Sequence, residues 1–196
     1  MMVFNSELLE ELNAAATEPE WTVNLEGPGP EFPKTFEPME NTPPNSFVHV
    51  WEPPEEGMAY VIGADVAEGL KHGDYSSAHV LSVGDDSRVV AEWHGHIEAD
   101  LFAYELMKLG LWYNTALILP EVNNHGLTTV TALRKLGYKR IWRRMALNSA
   151  TRKRQMEWGW KTTRVTKPLL IDSLHQWLRE RRSDGVRSVA TCAELS

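Results

Sequence analysis

Hydrophobic spacing along the chain changes several times, and each change marks an element. Three short strand-like runs, Met58 to Asp65, Ser77 to Val83 and Arg88 to His96, are separated by Gly/Asp-rich turns that include Gly84-Asp85-Asp86. They predict consecutive antiparallel strands. Phe102, Leu106, Leu109 and Tyr113 then recur at helical spacing, which predicts a helix capped by Asp100, ending near Asn114 and laying one apolar stripe on a sheet. Ala116 to Leu119 is a continuous apolar run, read as a buried central strand that delivers Pro120 and Glu121 at its C-terminal end. A second helix through Leu127, Val130 and Leu133 is expected to stop at Gly137, with Arg134 and Lys135 suiting the negative end of its dipole. Tyr138 to Trp142 reads as a fifth strand. After a basic loop, Thr166 is expected to cap a third helix that carries Leu170, Ile171, Leu174, Trp177 and Leu178 and tolerates Pro168 in its first turn. The order βββαβαβα implies a mixed α/β sheet flanked by helices.

The first third of the chain has a different texture. Residues 18 to 57 hold most of the prolines, many acids and little periodicity, and read as an extended linker. Ahead of it, Ser6 is placed to cap a short helix through Leu8, Leu9 and Leu12 that needs a neighbour to pack on. No run approaches the roughly 20 apolar residues that span a bilayer, and a lone cysteine, Cys192, excludes an internal disulfide. A cytoplasmic location is expected.

The net charge of −7 conceals a segregation. Arg134 to Arg187 contains 16 of the 20 Lys and Arg against four acids, a net +12, while the rest of the chain carries −19. A solvated basic face would account for such a split, and so would a polyanionic partner.

Two acids lie at predicted strand ends: Asp65 in Gly63-Ala64-Asp65-Val66-Ala67-Glu68-Gly69, and Glu121 in Pro120-Glu121-Val122-Asn123-Asn124-His125-Gly126. Were their strands neighbours, the carboxylates would converge and need a cation, Mg²⁺ or Mn²⁺ by the hardness of oxygen ligands. Two such ions roughly 3.5–4 Å apart support phosphodiester cleavage. An acid at a strand end also serves as a turn or cap residue, so the pair alone leaves both readings open. The glycines around Asp65 faintly resemble the phosphate turn of actin-like ATPases, but there is no GxxxxGK[ST] loop. His94 and His96 alternate onto one strand face without a nearby third ligand, a spacing more often structural than zinc-binding. No Gly-x-Ser-x-Gly elbow supports serine hydrolase chemistry.

Taken in order, three blocks resemble the C-terminal nuclease domain of phage and prophage large terminase subunits. The first is Gly63 to Gly69 followed by Gly73-Asp74-Tyr75-Ser76; the second is Trp112 to Ala116 with Pro120 to Gly126; the third is Gly159-Trp160-Lys161-Thr162-Thr163 with Thr166 to Ile171. The resemblance covers most of residues 58 to 196 and implies an RNase H-like, five-stranded mixed sheet. It further implies Asp65 and Glu121 as catalytic metal ligands for Mg²⁺ or Mn²⁺, and cleavage of concatemeric double-stranded DNA. The ATPase domain, the small terminase subunit and the portal are the implied partners. Residues 1–57 would then be a stub and linker from the ATPase domain. The third carboxylate of the family belongs to a later motif, and the chain ends at Ser196 before it, so an incomplete metal site is expected; Asp172 does not match that motif. The candidate DNA-backbone contacts are Arg143, Arg144, Arg152, Lys153, Arg154, Lys161 and Lys167. The early end also suits a rival, a non-catalytic DNA-binding or docking module. A junction-resolving nuclease of the same fold fits the Gly-Trp block and the linker less well.

Overall fold

The structure, a computed structural model, describes residues 6–26, 36–40, 47–69, 73–85, 87–123, 125–147, 152–181 and 186–194. Met1 to Asn5, five of the linker prolines, Asp86, Asn124, Ser196 and the side chain of Ser6, all within stretches used in the sequence reading, lie outside them. The element order is α1 (Ser6–Ala15), β1 (Trp21–Val23), β2 (Val48–Val50), β3 (Ala59–Asp65), β4 (Ser76–Val83), β5 (Val89–Gly95), α2 (Ala99–Trp112), β6 (Leu117–Pro120), α3 (Gly126–Lys135), β7 (Arg143–Leu147), β8 (Arg154–Trp158), α4 (Thr166–Arg181) and α5 (Val189–Glu194).

Six strands form the main sheet in the order β1-β2-β5-β4-β3-β6. The pairs are antiparallel except β3 with β6, which run parallel. Register follows burial. Ile62, Val80, Ala91 and Val50 stand in one row across four strands, and Ala64, Ala78, Trp93 and Val48 in the next, all buried on one face. On that face α2 contributes Phe102, Leu106, Leu109 and Tyr113, none of them exposed, as its spacing predicted. Burying a side chain of that size is worth about 1.5–3 kcal/mol, so a one-residue slip of any central strand would be prohibitive. The opposite face is polar: Gly63, His79, Glu92 and His49 share a row there. It is capped by α5, whose Thr191 hydroxyl lies 3.0 Å from His79 Nε2 and donates to the buried Glu92 carboxylate at 3.3 Å. A second, smaller core joins the ends of the chain: Leu9 and Leu12 of α1 pack with Leu178 of α4, Val186 and Cys192 of α5.

Several expectations need correction. The sheet has six strands rather than five, because the proline-rich stretch supplies β1 and β2 and buries Phe36 and Trp51. β6 is the last strand of the sheet, not a central one, and buries only alternate residues. Tyr138 to Trp142 makes one bridge, Ile141 to Ile118, in place of a strand. The basic loop is instead a hairpin, β7 against β8, pairing Arg143 with Trp158 and Met145 with Met156. Leu127 is 59% exposed, so the stripe of α3 is narrower than its spacing suggested. Asp100 lies inside the first turn of α2; the capping position is Glu98, without a side-chain cap. On α4, Leu170 is exposed and only Leu178 is fully buried. Thr166 does not cap alone: Thr163 Oγ1 accepts from the Thr166 amide at 3.1 Å while Thr166 Oγ1 accepts from the Thr163 amide at 2.8 Å, a reciprocal box.

Candidate metal centre and nucleic-acid interface

The parallel pairing of β3 with β6 brings the two acids together. Ala64 stands opposite Pro120, the Glu121 amide donates to the Ala64 carbonyl at 2.8 Å, and the next row is therefore Asp65 beside Glu121. Since neighbours in a sheet row share a face, both carboxylates leave on the polar side. They are close enough to share a hydrogen bond. Surrounding protein strips part of the water from Asp65 and pushes its pKa up; the charge of Glu121 adds to this, and the Val66 amide opposes it. The charge of Asp74 raises it further, a contribution the sequence reading passed over.

Glu121 is held from three sides. Asn123 Nδ2 donates to its carboxylate at 2.6 Å and to the Thr162 carbonyl at 3.0 Å, so one amide couples that carboxylate to the Gly-Trp block. That block runs beside the end of β6: the Val122 amide donates to the Trp160 carbonyl at 2.7 Å, and the Trp160 amide to the Pro120 carbonyl at 2.8 Å. Gly159, with φ of +69°, lies against the Val122 side chain and the Pro120 carbonyl, leaving no room for a β-carbon. On the other side, Gly126 at the start of α3 packs directly on the Glu121 carbonyl. His125, next to it, pairs with Glu68 at 3.2 Å.

Two carboxylates on one face, one of them holding its proton better than usual first because burial strips its water and then because of the charge of the other, are oxygen donors of the kind a hard divalent cation takes. Mg²⁺ is commonly held by one or two carboxylates with water filling the remaining positions. Among the described residues no group of three His, Cys, Asp or Glu could hold a metal. Asp172 instead lines a surface hollow between α1 and α4 with Leu8, His175 and Arg179. His94 and His96 both stack on Tyr75, at 4.4 and 3.9 Å between ring centres.

Most of the candidate DNA contacts lie on or directly before the strands of the β7–β8 hairpin. The hairpin springs from the edge beside Glu121, where the Trp142 amide donates to Ile118 and the Gly159 amide to Trp142. Arg143, Arg144 and Arg154 lie on its strands, and Arg152 and Lys153 precede β8. Lys161 follows the Trp160 bridge and Lys167 opens α4; all but Arg144 are exposed. Arg144 is partly committed, 3.5 Å from Glu157 and above the Trp160 ring, while Arg143 and Arg134 both lie over Trp158.

This architecture is a mixed α/β, RNase H-like fold with an acidic pair at its parallel strand ends. It is the fold of phage large terminase nucleases. The large terminase nuclease of the thermophilic phage G20c aligns over 99% of this chain and 79% of its own, with a TM-score of 0.59 and 18% identity. The same nuclease with bound magnesium aligns over 96% and 78%, at a TM-score of 0.59 and 16% identity. The nuclease domain of Thermus phage P74-26 aligns over 96% and 76%, at 0.55 and 16%. Zinc-bound and cobalt-bound forms of the G20c nuclease also match. No protein-family model and no curated sequence matches the chain.

Proposed function

We propose that this chain carries the metal-dependent endonuclease of a phage DNA-packaging terminase, acting on concatemeric double-stranded DNA in the host cytoplasm. The observation that carries the reading is the side-by-side placement of Asp65 and Glu121 at the ends of the parallel strands, with the Asp65 pKa raised from its ordinary value. Asp65 and Glu121 are the metal ligands and catalytic residues of this reading. Bound there, Mg²⁺ or Mn²⁺ supplies the Lewis acidity for phosphodiester hydrolysis, two ions being the expected number. The chain's own part is to position. Asn123 fixes the rotamer of Glu121, and the Gly159 to Thr163 segment fixes Asn123. Arg143, Arg144, Arg152, Lys153, Arg154, Lys161 and Lys167 contact phosphates without reading sequence. Residues 58–196 form the nuclease, and residues 1–57 connect it to an ATPase motor while lending two strands to the sheet. The small terminase subunit and portal complete the proposed assembly.

The test is plasmid nicking in Mn²⁺ and Mg²⁺ by the chain and by Asp65→Ala, alongside Mn²⁺ titration calorimetry. Metal binding and nicking that both vanish with Asp65→Ala support the reading; absence of both in the parent chain overturns it. A second reading, a DNA-binding module that does not cut, is favoured by the absence, among the described residues, of any group of three His, Cys, Asp or Glu able to hold a metal. Duplex binding without nicking in either metal would establish it.

A further inference from the structure

Cross-strand pairing sorts the β7–β8 hairpin into two faces. Arg143 stands opposite Trp158, Met145 opposite Met156 and Leu147 opposite Arg154, so these six side chains share one face. Arg144, Ala146, Gln155 and Glu157 take the other. The first face is turned to water although three of its residues are of the kind usually buried: Met145 is 57% exposed, Met156 47% and Leu147 67%. Among the described residues neither hydrophobic core includes any of the three. Large apolar side chains left adjacent on an exposed face mark a surface that another molecule covers.

The charges on that face select the partner. Arg143 and Arg154 stand at opposite corners of it, Arg134 lies with Arg143 over the Trp158 ring, and Arg152 and Lys153 lead into β8. The one acid on the two strands, Glu157, belongs to the other face, where Arg144 engages it at 3.5 Å. An apolar strip with cations at both ends suits a polyanion that has an apolar floor. The major groove of duplex DNA is one: it is about 12 Å wide, admits a two-stranded β-ribbon and displays thymine methyl groups between two phosphate walls. Arg143 is on β7 and Arg154 on β8, four residues or roughly 14 Å apart along the ribbon, so each faces the phosphates of a different DNA strand.

We infer that the Met145–Met156 face of the hairpin docks in the major groove of duplex DNA, where Met145, Met156 and Leu147 meet thymine methyl groups while Arg143 and Arg154 hold the two backbones. The inference deepens the DNA-binding part of the proposed function and rests on it. The cations read no sequence. The apolar side chains add a preference for thymine, a mild one because methionine is flexible and brings no hydrogen-bond readout of the base edges.

The experiment is anisotropy titration of the full chain in EDTA with two labelled duplexes of one sequence, the second carrying uracil in place of thymine. The parent chain is expected to bind the uracil duplex about fourfold more weakly for each methyl engaged. A double variant, Met145→Ser with Met156→Ser, is expected to bind the two duplexes alike while keeping the parent's slope of log affinity against log salt, since no charge is removed. Arg143→Ala is expected to do the opposite, flattening the slope and keeping the thymine preference. Equal affinity of the parent chain for the two duplexes overturns the inference, whether or not any variant folds, and so does a thymine preference that survives in the double variant. Absence of duplex binding overturns it too, and leaves the face to an acidic protein surface. Because the titration contains no metal, it is independent of cleavage. Thymine-dependent binding without nicking in Mn²⁺ upholds the docking and sinks the nuclease, whereas nicking with no thymine preference does the reverse.

Discussion

At the scale of single residues, Asp65 bears on stability through its raised pKa. Its folded pKa is raised above the ordinary 3.8, so the folded chain holds this proton to higher pH than the unfolded chain. Stability therefore falls as pH rises from the unfolded value through the raised one. Asp65→Asn is expected to melt above the parent at pH 7 without metal, the gap closing as pH falls toward 3.8. Saturating Mn²⁺ should reverse the order, since only the parent gains the stabilisation of a bound ligand. Thermal melts at several pH values, with and without Mn²⁺, check both parts. Asn123 acts on the neighbouring carboxylate. Asn123→Ala removes the 2.6 Å bond to Glu121 and is expected to lower Mn²⁺ affinity at least tenfold, about the lower end for an orienting partner, by calorimetry. Unchanged affinity would show that Glu121 is oriented by the backbone alone. Asn123 was visible in the sequence as part of a motif, but its job was not, because its second partner, Thr162, lies 39 residues away.

At the scale of elements, helix starts and strand ends meet at the site, and glycine makes the meeting possible. Gly126 begins α3 against the Glu121 carbonyl, so Gly126→Ala must push the helix or Glu121 aside. A loss of about 2–4 kcal/mol in urea unfolding is expected, in the range of steric strain at a packed backbone, together with weaker Mn²⁺ binding. The sequence showed the helix and its glycine, since the apolar spacing and Gly137 are local signals. It did not show that α3 would be narrow-faced. Leu127 completes the helical spacing but is 59% exposed, because α2 and the sheet reach only Val130, Thr129 and Leu133. The β7–β8 hairpin was missed for a related reason. Arg143-Arg144-Met145-Ala146-Leu147 has little apolar alternation, and its strand character comes from pairing with Arg154 to Trp158.

At the scale of the whole molecule, charge and topology act together. The hairpin that carries much of the basic segment has its base at the sheet edge beside Glu121. Duplex affinity should fall with added salt, and Arg143→Ala with Arg144→Ala is expected to reduce the slope of log affinity against log salt by about one to two, at roughly 0.9 per phosphate contact. A slope unchanged in the double variant would remove these two from the interface. Arg144 should contribute less than Arg143 because Glu157 already engages it.

The sequence by itself determined the elements from β3 through α3 to within a few residues, the α/β class, the two acids and the terminase-like order of blocks. The elements and the class rest on short-range periodicity and the two acids on residue types at strand ends, which neighbours in the chain suffice to encode, while the order of blocks rests on its resemblance to terminase nuclease domains. Only the tertiary structure decided that β3 and β6 are parallel partners, which alone turns Asp65 and Glu121 into a pair. It also decided that proline-rich residues supply β1 and β2, and that Tyr75 stacks on His94 and His96. Those outcomes depend on which strand edges and faces are left to be covered once the core rows of Ile62 and Trp93 are filled. That is a property of the assembled sheet and not of any local stretch.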